Sequence, residues 1–350
     1  MKSNRTRALI GALAVSGLVL SACSSDSTTS DSTSAESSTT EAEVAVNAGL
    51  VGFSYPIEAN SYLKAIGSAA EVQLMQKCGA GFFPIDAQLD GNKQISDVEA
   101  MITKGVNAMI IYPLDSNGLK PVLEKASAAG IKVITMNSNV DDSLAAPPEP
   151  SLGQVQDAFS QRTLAQERVA WLKQTLPEGG NVLYVGLGFP VIALEAHANL
   201  FEEELATAPE FNFLGRVDNQ TDDSEGGRQA IDEALVRFPE VNAIVAYNDP
   251  TALGAYQAVS AAGLDGQVKI VGLQMQPEVV ESIAAGKVDG SWDFDPVSSG
   301  VSLANLTCDI LTGAPAEAYS KTVQTPSKFY DATTIKDFTS WEDQIANIGK

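Results

Sequence analysis

The sequence predicts an α/β protein made of two doubly wound parallel-sheet lobes. Three observations carry that expectation. Short apolar runs alternate with longer helical stretches from about residue 46 onward, the rhythm of strand–helix–strand crossovers. One such unit is written twice. Val106-Asn107-Ala108 opens the run Met109 to Tyr112, and the helical stretch after it ends Ser127-Ala128-Ala129-Gly130-Ile131. Then Val241-Asn242-Ala243 opens Ile244 to Tyr247, and its helical stretch ends Ser260-Ala261-Ala262-Gly263-Leu264. Finally, 350 residues, 44% of them hydrophobic, suffice for two cores. Each copy continues into another apolar segment, Lys132 to Met136 and Lys269 to Leu273, and each is preceded by a matching helical pattern, Glu99-Ala100-Met101 and Glu233-Ala234-Leu235. Whether this is a duplication or two units obeying the same physics, two lobes on one chain leave a cleft, and clefts between domains bind small ligands.

The N-terminus reads as an address. Lys2, Arg5 and Arg7 precede an apolar stretch from Ala8 to Leu20, closed by Leu20-Ser21-Ala22-Cys23. Charged, apolar and small-residue regions stand in the order of a secretory signal, and the apolar stretch is too short for a comfortable transmembrane span. Small residues before a cysteine resemble the lipobox of bacterial lipoproteins, in which Cys23 would be lipidated after removal of residues 1–22; ordinary signal cleavage is the alternative. Residues 24–43 hold 13 Ser or Thr and five acids, with no aromatic or large aliphatic side chain. Such a segment, here taken as 23–45, cannot bury enough apolar surface to fold and reads as a tether.

The expected elements of the first lobe are strands over 46–54, 81–86, 109–112 and 133–136, and helices over 60–77, 93–104 and 117–129. Pro147, Pro148 and Pro150 mark 141–150 as a linker. In the second lobe the helices are 154–176, 192–207, 225–237, 251–262 and 277–285, and the strands 181–185, 213–217, 243–247 and 269–273. Residues 290–294 read as a crossing segment. After Pro296 a helix over 299–311 should return to the first lobe, with short strands and turns from about 323. The first lobe is thus expected over 46–140 plus 296–324, and the second over 141–295 plus 325–350.

Charge and chemistry narrow the function. There are 44 acidic residues against 22 basic; losing Lys2, Arg5 and Arg7 and no acid moves the formal charge from −22 to −25. Such a surface repels phosphate backbones, which excludes a nucleic-acid partner. His197 is the only histidine in the sequence. No G-x-S-x-G elbow, H-E-x-x-H helix, C-x-x-C pair or Walker A sequence occurs, and Gly186-Leu187-Gly188 lacks the third glycine of a dinucleotide fingerprint. No catalytic residues, metal or cofactor are expected. A secreted glycoside hydrolase built on two carboxylates alone stays open. Cys78 closes the first predicted helix and Cys308 lies in the last long one. Outside the cell they form a disulfide or stay as two buried thiols.

Ligands of doubly wound sheets sit beyond the carboxyl ends of the strands. That rule selects Ser54 and Tyr55, Tyr112 and Asp115, Asn137 and Ser138, Gly188 and Phe189, Asn219 to Asp222, Asn248 and Asp249, and Gln274. At these strand ends the sequence resembles the ribose- and galactose-type periplasmic binding proteins, the substrate receptors of sugar ABC transporters. The resemblance rests on Tyr247-Asn248-Asp249 with Ala252-Leu253-Gly254-Ala255, on Lys269-Ile270-Val271-Gly272, and on Gly105 to Pro113 followed by Ala129-Gly130-Ile131-Lys132-Val133-Ile134. It covers about residues 46–345. It implies the type I fold, two Rossmann-like lobes joined by a three-strand hinge. Repressors of the LacI type share that fold but carry a basic helix-turn-helix where this chain has a lipobox and tether.

Carried over residue by residue, the resemblance implies a binding site. Asn60 and Tyr62 fall where the family places an asparagine and an aromatic ring against the sugar. Asn137-Ser138 stands where many members have Asp-Arg, and His197 where an arginine commonly reaches the ligand. Asn248 matches the family's asparagine, with Asp249 beside it. Gln274 replaces a usual aspartate, and Phe294 lies near a usual glutamine. Trp292 alternates with Asp293, so one of the pairs Trp292/Phe294 and Asp293/Asp295 faces the cleft. Alternatives remain at three positions: hinge packing for Trp292, a solvent-facing helix position for His197, and a helix N-cap before Thr251 for Asn248. Neutral groups replace charged ones beside Tyr62, Phe189, Trp292 and Phe294, so the expected ligand is neutral, a sugar or polyol other than ribose, or something less polar. The implied protein is a monomeric receptor, lipid-anchored to the outer face of the bacterial cytoplasmic membrane. It would touch the membrane only through its lipid and serve a permease and ATPase on separate chains. A sensory receptor for a small signal molecule is the alternative that shares its cleft.

Overall fold

The computed structural model describes residues 47–138 and 147–350. The leader, Cys23, the tether and most of the proline-rich linker lie outside the described residues. The first sheet contains β1 (Leu50–Tyr55), β2 (Gly81–Asp86), β3 (Ala108–Ile111), β4 (Lys132–Met136), β5 (Gly153–Gln156) and β11 (Thr322–Gln324), in the order β2-β1-β3-β4-β5-β11 and all parallel. The second contains β6 (Gly180–Leu187), β7 (Phe211–Asn219), β8 (Ala243–Ala246), β9 (Lys269–Gln274), β10 (Gly290–Asp293) and β12 (Lys328–Tyr330), in the order β7-β6-β8-β9-β10-β12. Only β12 among these is antiparallel to its neighbour. The two copies of the repeated unit land on β3 and β8, third from the edge in each sheet. Both strands are buried along their whole length, as a sheet covered by helices on both faces requires.

The helices are α1 (Ser61–Cys78), α2 (Gly91–Lys104), α3 (Ser116–Ala128), α4 (Arg162–Thr175), α5 (Ile192–Leu205), α6 (Ser224–Arg237), α7 (Asp249–Ala261), α8 (Pro277–Ala284), α9 (Pro296–Leu311) and α10 (Trp341–Ala346). Their starts are chemically marked. Asn60, Asp90, Asp115, Asp223, Asn248 and Asp295 each accept a backbone N–H of the first turn with a side-chain oxygen. Such a cap is worth about 1 kcal/mol and turns the chain sharply out of the preceding strand. Helices α1 and α9 pack closely, because a Cβ on Gly300 would stand 2.2 Å from the Ile66 carbonyl oxygen. Cys78 and Cys308 join the same two helices, with sulfur atoms 2.07 Å apart. No helix among the described residues is long and apolar enough to cross a membrane.

Three segments differ from the sequence expectation. The helix expected over 154–176 begins only at Arg162. Gly153–Gln156 is instead strand β5, held between β4 and β11, with Gln154 donating to Thr322 Oγ1 and accepting from Ser138 Oγ. Two sheet neighbours use the backbone groups that a helix would have used internally, and Asp157 then turns the chain by accepting the Phe159 N–H. The first sheet therefore keeps the chain to Gln156 rather than to 140. Residues 290–293, expected as a crossing segment, form β10 within the second sheet, and the crossing follows at Phe294 and Asp295. The chain passes between lobes there, after β5, and between β11 and β12. The tail also departs from its expected lobe: after β12, α10 packs on α1 and α9 of the first lobe, and Gln76 donates to the Ile348 carbonyl at 3.2 Å.

Candidate functional site

Seven non-glycine residues among those described have a positive φ: Gln88, Leu89, Asn137, Asp222, Gln274, Met275 and Asp295. All lie at or just past the carboxyl end of a strand, on the side where the lobes face one another. Left-handed backbone costs a non-glycine residue free energy, and such strain gathers where side chains must be aimed. Here it aims Leu89, Asp222 and Gln274 into one place.

That place is a central chamber of about 40 Å³ lined from both lobes. The first lobe contributes Asn60, Leu63, Leu89 and Tyr112, and the second Leu187, Asp222, Tyr247 and Gln274, with Phe159 at the crossing. Several contacts bridge the lobes around it. Gln276 Nε2 donates to Asn60 Oδ1 at 3.0 Å, Ser61 Oγ approaches Glu278 at 3.5 Å, and the Ile192 N–H donates to the Leu114 carbonyl at 3.3 Å. Gln276 Nε2 also donates to Gln274 Oε1 at 2.8 Å, which fixes the Gln274 amide against the chamber.

Asp222 is the one carboxylate among the described residues that line the central chamber. Tyr247 Oη and Asn248 Nδ2 donate to its Oδ1 at 2.5 and 2.8 Å. Burial pushes its carboxyl above the usual range, while hydrogen bonds from Tyr247, Asn60 and Asn248 pull the other way. Opposite, Tyr112 Oη accepts from Asn137 Nδ2 at 3.0 Å, which leaves its own proton to donate. The chamber thus offers an acceptor on one wall, a hydroxyl donor on the other and an amide between.

The sequence-derived residues divide into three groups. Asn60 and Gln274 line the chamber, and Asn248 adjoins it through Asp222 while capping α7 by accepting the Thr251 N–H at 2.9 Å. A second group stands directly behind the wall. Tyr62 Oη donates to Asp157 at 2.6 Å, Asn137 accepts the Asp157 N–H, and Ser138 bonds Thr135 and Gln154 in a buried hydroxyl–amide network. Asp249 is fully buried and accepts the Gln276 N–H at 2.6 Å, and burial raises its carboxyl well above the usual range. Phe294 packs edge-on against Tyr62 and Phe159 at the crossing.

The third group lies further off. Phe189 is half-buried on the loop before α5. Trp292 stacks 4.5 Å from Phe329 of β12, at the sheet edge. His197 is wholly buried behind Phe159, and its Nε2 lies 2.5 Å from Nη1 of Arg168. Burial, and then the neighbouring guanidinium, hold its imidazole well below the usual range, so it is neutral. Arg168 itself went unnoticed in the sequence, where a helical arginine carries no signal of burial. Asp222 stood among the strand-end candidates without being singled out. Tyr247 carried part of the family resemblance without a role of its own, and Phe159 and Leu89 were legible only as apolar residues.

Two larger chambers flank the central one. One of about 530 Å³ runs past Leu89 between the starts of α2 and α3 and the start of α5. The other, about 450 Å³, shares Ile57, Asn60 and Asp222 with the centre and is lined by Ser61, Thr221, Asp223, Ser224 and Glu278. No cluster of His, Cys, Asp or Glu fit for a metal ion occurs among the described residues.

Comparison with known proteins agrees with this architecture. The ribose import binding protein of Bacillus subtilis (strain 168) is 29% identical over 147 residues, 41% of this chain and 48% of that protein. The aligned stretches span about half, or less, of the curated relatives matched. Among solved structures, the periplasmic binding component of the arabinose ABC transporter of Shewanella sp. ANA-3 superposes with a TM-score of 0.73 at 23% identity, covering 84% of this chain and 95% of that one. The Caulobacter myo-inositol binding protein superposes with a TM-score of 0.72 at 20% identity, covering 84% and 97%. A family model described as a periplasmic binding protein domain matches residues 51–315. With that match over most of its length and with the type I arrangement of two parallel-sheet lobes, the chain belongs to the periplasmic binding protein family.

Proposed function

We propose that this chain is an extracytoplasmic solute receptor of an ABC importer, binding a small neutral sugar or polyol between its lobes and releasing it unchanged. The observation that carries this reading is the central chamber, where Asn60 and Tyr112 of one lobe meet Asp222, Tyr247 and Gln274 of the other. A hydroxylated ligand matches those groups: a hydroxyl donates to Asp222, accepts from Tyr112 and bonds the Gln274 amide. Hydrogen bonds to an ionised acceptor are roughly twice as strong as neutral ones, so Asp222 is the anchor. The central chamber is narrow in this arrangement, about 40 Å³, so a sugar enters as the lobes part. Contacts from both lobes exist only in the closed form, and ligand therefore draws the lobes together.

Several features support the setting. The relatives above are named for ribose import, for an arabinose ABC transporter and for myo-inositol binding. The signal-like leader and Cys23 supply a lipid anchor, and the permease and ATPase are separate chains. The test is a thermal-shift panel of sugars, polyols, nucleosides and aromatic acids on the purified chain stripped of carried-over ligand. A ligand at 100 times its dissociation constant stabilises by about 2.7 kcal/mol. A sugar or polyol that raises the midpoint and is recovered unchanged supports the receptor; turnover, or a response only to other classes, overturns it.

A further inference from the structure

The three chambers form one cleft with a chemical gradient along it, and this inference rests on the receptor reading above. At one end Asp222, Asp223, Thr221, Ser224 and Glu278 give an acidic, hydroxyl-rich wall. At the other, Leu89, Ile95, Leu114, Leu119, Pro190 and Ile192 line the 530 Å³ chamber from both lobes. The polar residues beside them are mostly committed within the protein. Gln94 donates to Ser54 Oγ and to the Tyr112 carbonyl and accepts the Leu114 N–H, so its amide is used on both sides. Both oxygens of Glu195 accept from Arg216, and Asp115 caps α3. What the chamber presents to an occupant is therefore chiefly hydrocarbon. Leu89 lines both this chamber and the central one, so the two are adjacent parts of one groove. A volume of 530 Å³ lies within the range of small-molecule pockets, about 300 to 1,000 Å³.

We infer that this chamber is a second subsite that takes an apolar substituent of the ligand, so that the preferred solute is an alkyl- or aryl-substituted sugar or polyol rather than the bare one. The hydroxylated part lies at Asp222 and the substituent runs past Leu89 towards Ile95 and Ile192. Burying a phenyl group against such a wall raises affinity about tenfold or more.

The experiment titrates the full chain calorimetrically with pentoses, hexoses and inositol, and with the methyl and phenyl glycosides of the same sugars. The expected result is a phenyl glycoside bound at least about tenfold tighter than its parent sugar, a ratio that falls towards one in Ile95→Asn. Ile192→Asn, on the other lobe, repeats the test should the first variant fail to fold, and melting curves report folding of both. A phenyl glycoside bound no better than its parent overturns the subsite and leaves the receptor standing. Binding of neither class overturns both.

Discussion

Behind the cleft each lobe buries an ionisable cluster, and the two are built in opposite ways. At the end of β5 the Asp157 carboxylate accepts from Tyr62 Oη and from the Phe159 N–H, while its own N–H goes to Asn137, which donates on to Tyr112. Burial raises its pKa, and these hydrogen bonds oppose the rise. In the second lobe Arg168 is equally buried, but no described carboxylate faces it. One nitrogen donates to the Ala246 carbonyl at 2.6 Å, another meets neutral His197, and the rings of Tyr184 and Phe201 lie 5.6 and 5.3 Å from the guanidinium carbon. Burial alone pulls its pKa down to about 10. His197 Nδ1 has no hydrogen-bond partner among the described residues, while the Tyr184 hydroxyl supports the guanidinium against its burial. The first cluster is a satisfied knot and the second a charge held by packing, one carbonyl and the Tyr184 hydroxyl, with no described carboxylate. Buried polar groups stabilise only when their partners are complete, so the knot should be costly to cut and the lone cation cheap to replace.

The largest effect is expected at the knot. Asp157→Ala strands the Tyr62 hydroxyl and the Phe159 N–H in the interior and should cost about 3 kcal/mol in urea unfolding. Next comes the chamber's own acid. Asp222→Ala should weaken the ligand found in the thermal-shift panel by roughly 30- to 100-fold by titration calorimetry, a charged hydrogen bond being worth about 2 to 3 kcal/mol. Unchanged affinity would move recognition away from Tyr247, Asn248 and Asp222 altogether.

A third test uses pH. Burial, and then the charge of Asp295, push the Asp293 carboxyl up to about 6 from 3.8, against the Asp295 N–H bonded to it. A raised folded-state pKa stabilises the folded form below the unfolded value, and that contribution is lost as pH rises through about 6. Asp293→Asn should therefore be more stable than the parent by about 2 kcal/mol at pH 7, an advantage that fades by pH 4. Equal stability across that range would show that Asp293 is paired well enough to ionise freely.

The smallest effect is the sharpest for the comparison. Arg168→Met removes a buried charge with no carboxylate and keeps most of the packing, so melting should shift by less than about 1 kcal/mol of stability. A loss as large as that of Asp157→Ala would mean that the two clusters are equivalent after all.

The alternation of elements was legible in the sequence because parallel strands covered on both faces are unbroken apolar runs. Residues 81–86 and 108–111 fall within a residue of where their pattern puts them. The failure at β5 has a physical source: Gly153-Gln154-Val155-Gln156 is polar at alternate positions, and β11, 168 residues later, pairs with it and supplies Thr322 as a partner for Gln154. No local pattern carries that information. The strand-end rule found the neighbourhood of the chamber, including Asp222, but could not tell a residue lining it from one a layer behind, as with Asn137 and Asp249, and the family resemblance carried the same ambiguity at His197. That distinction turns on local packing to which residue identity gives little clue: Asp222, Gln274 and Asn137 all have a positive φ, yet only the first two line the chamber.

The C-terminal tail has a mechanical consequence. It leaves the second sheet at Tyr330, and α10 is fastened on α1 and α9, with Trp341 6.1 Å from the Tyr62 ring. The lobes are thus linked by four spans of chain, and the fourth lies outside the three crossings beside the sheets. A leash anchored away from a pivot must pay out slack as the pivot turns. The turn Ile335–Asp337 rests on α8 and Phe338 on Tyr330, so the short stretch between Phe338 and Trp341 sets how much slack there is and so bounds how far the two halves could gape.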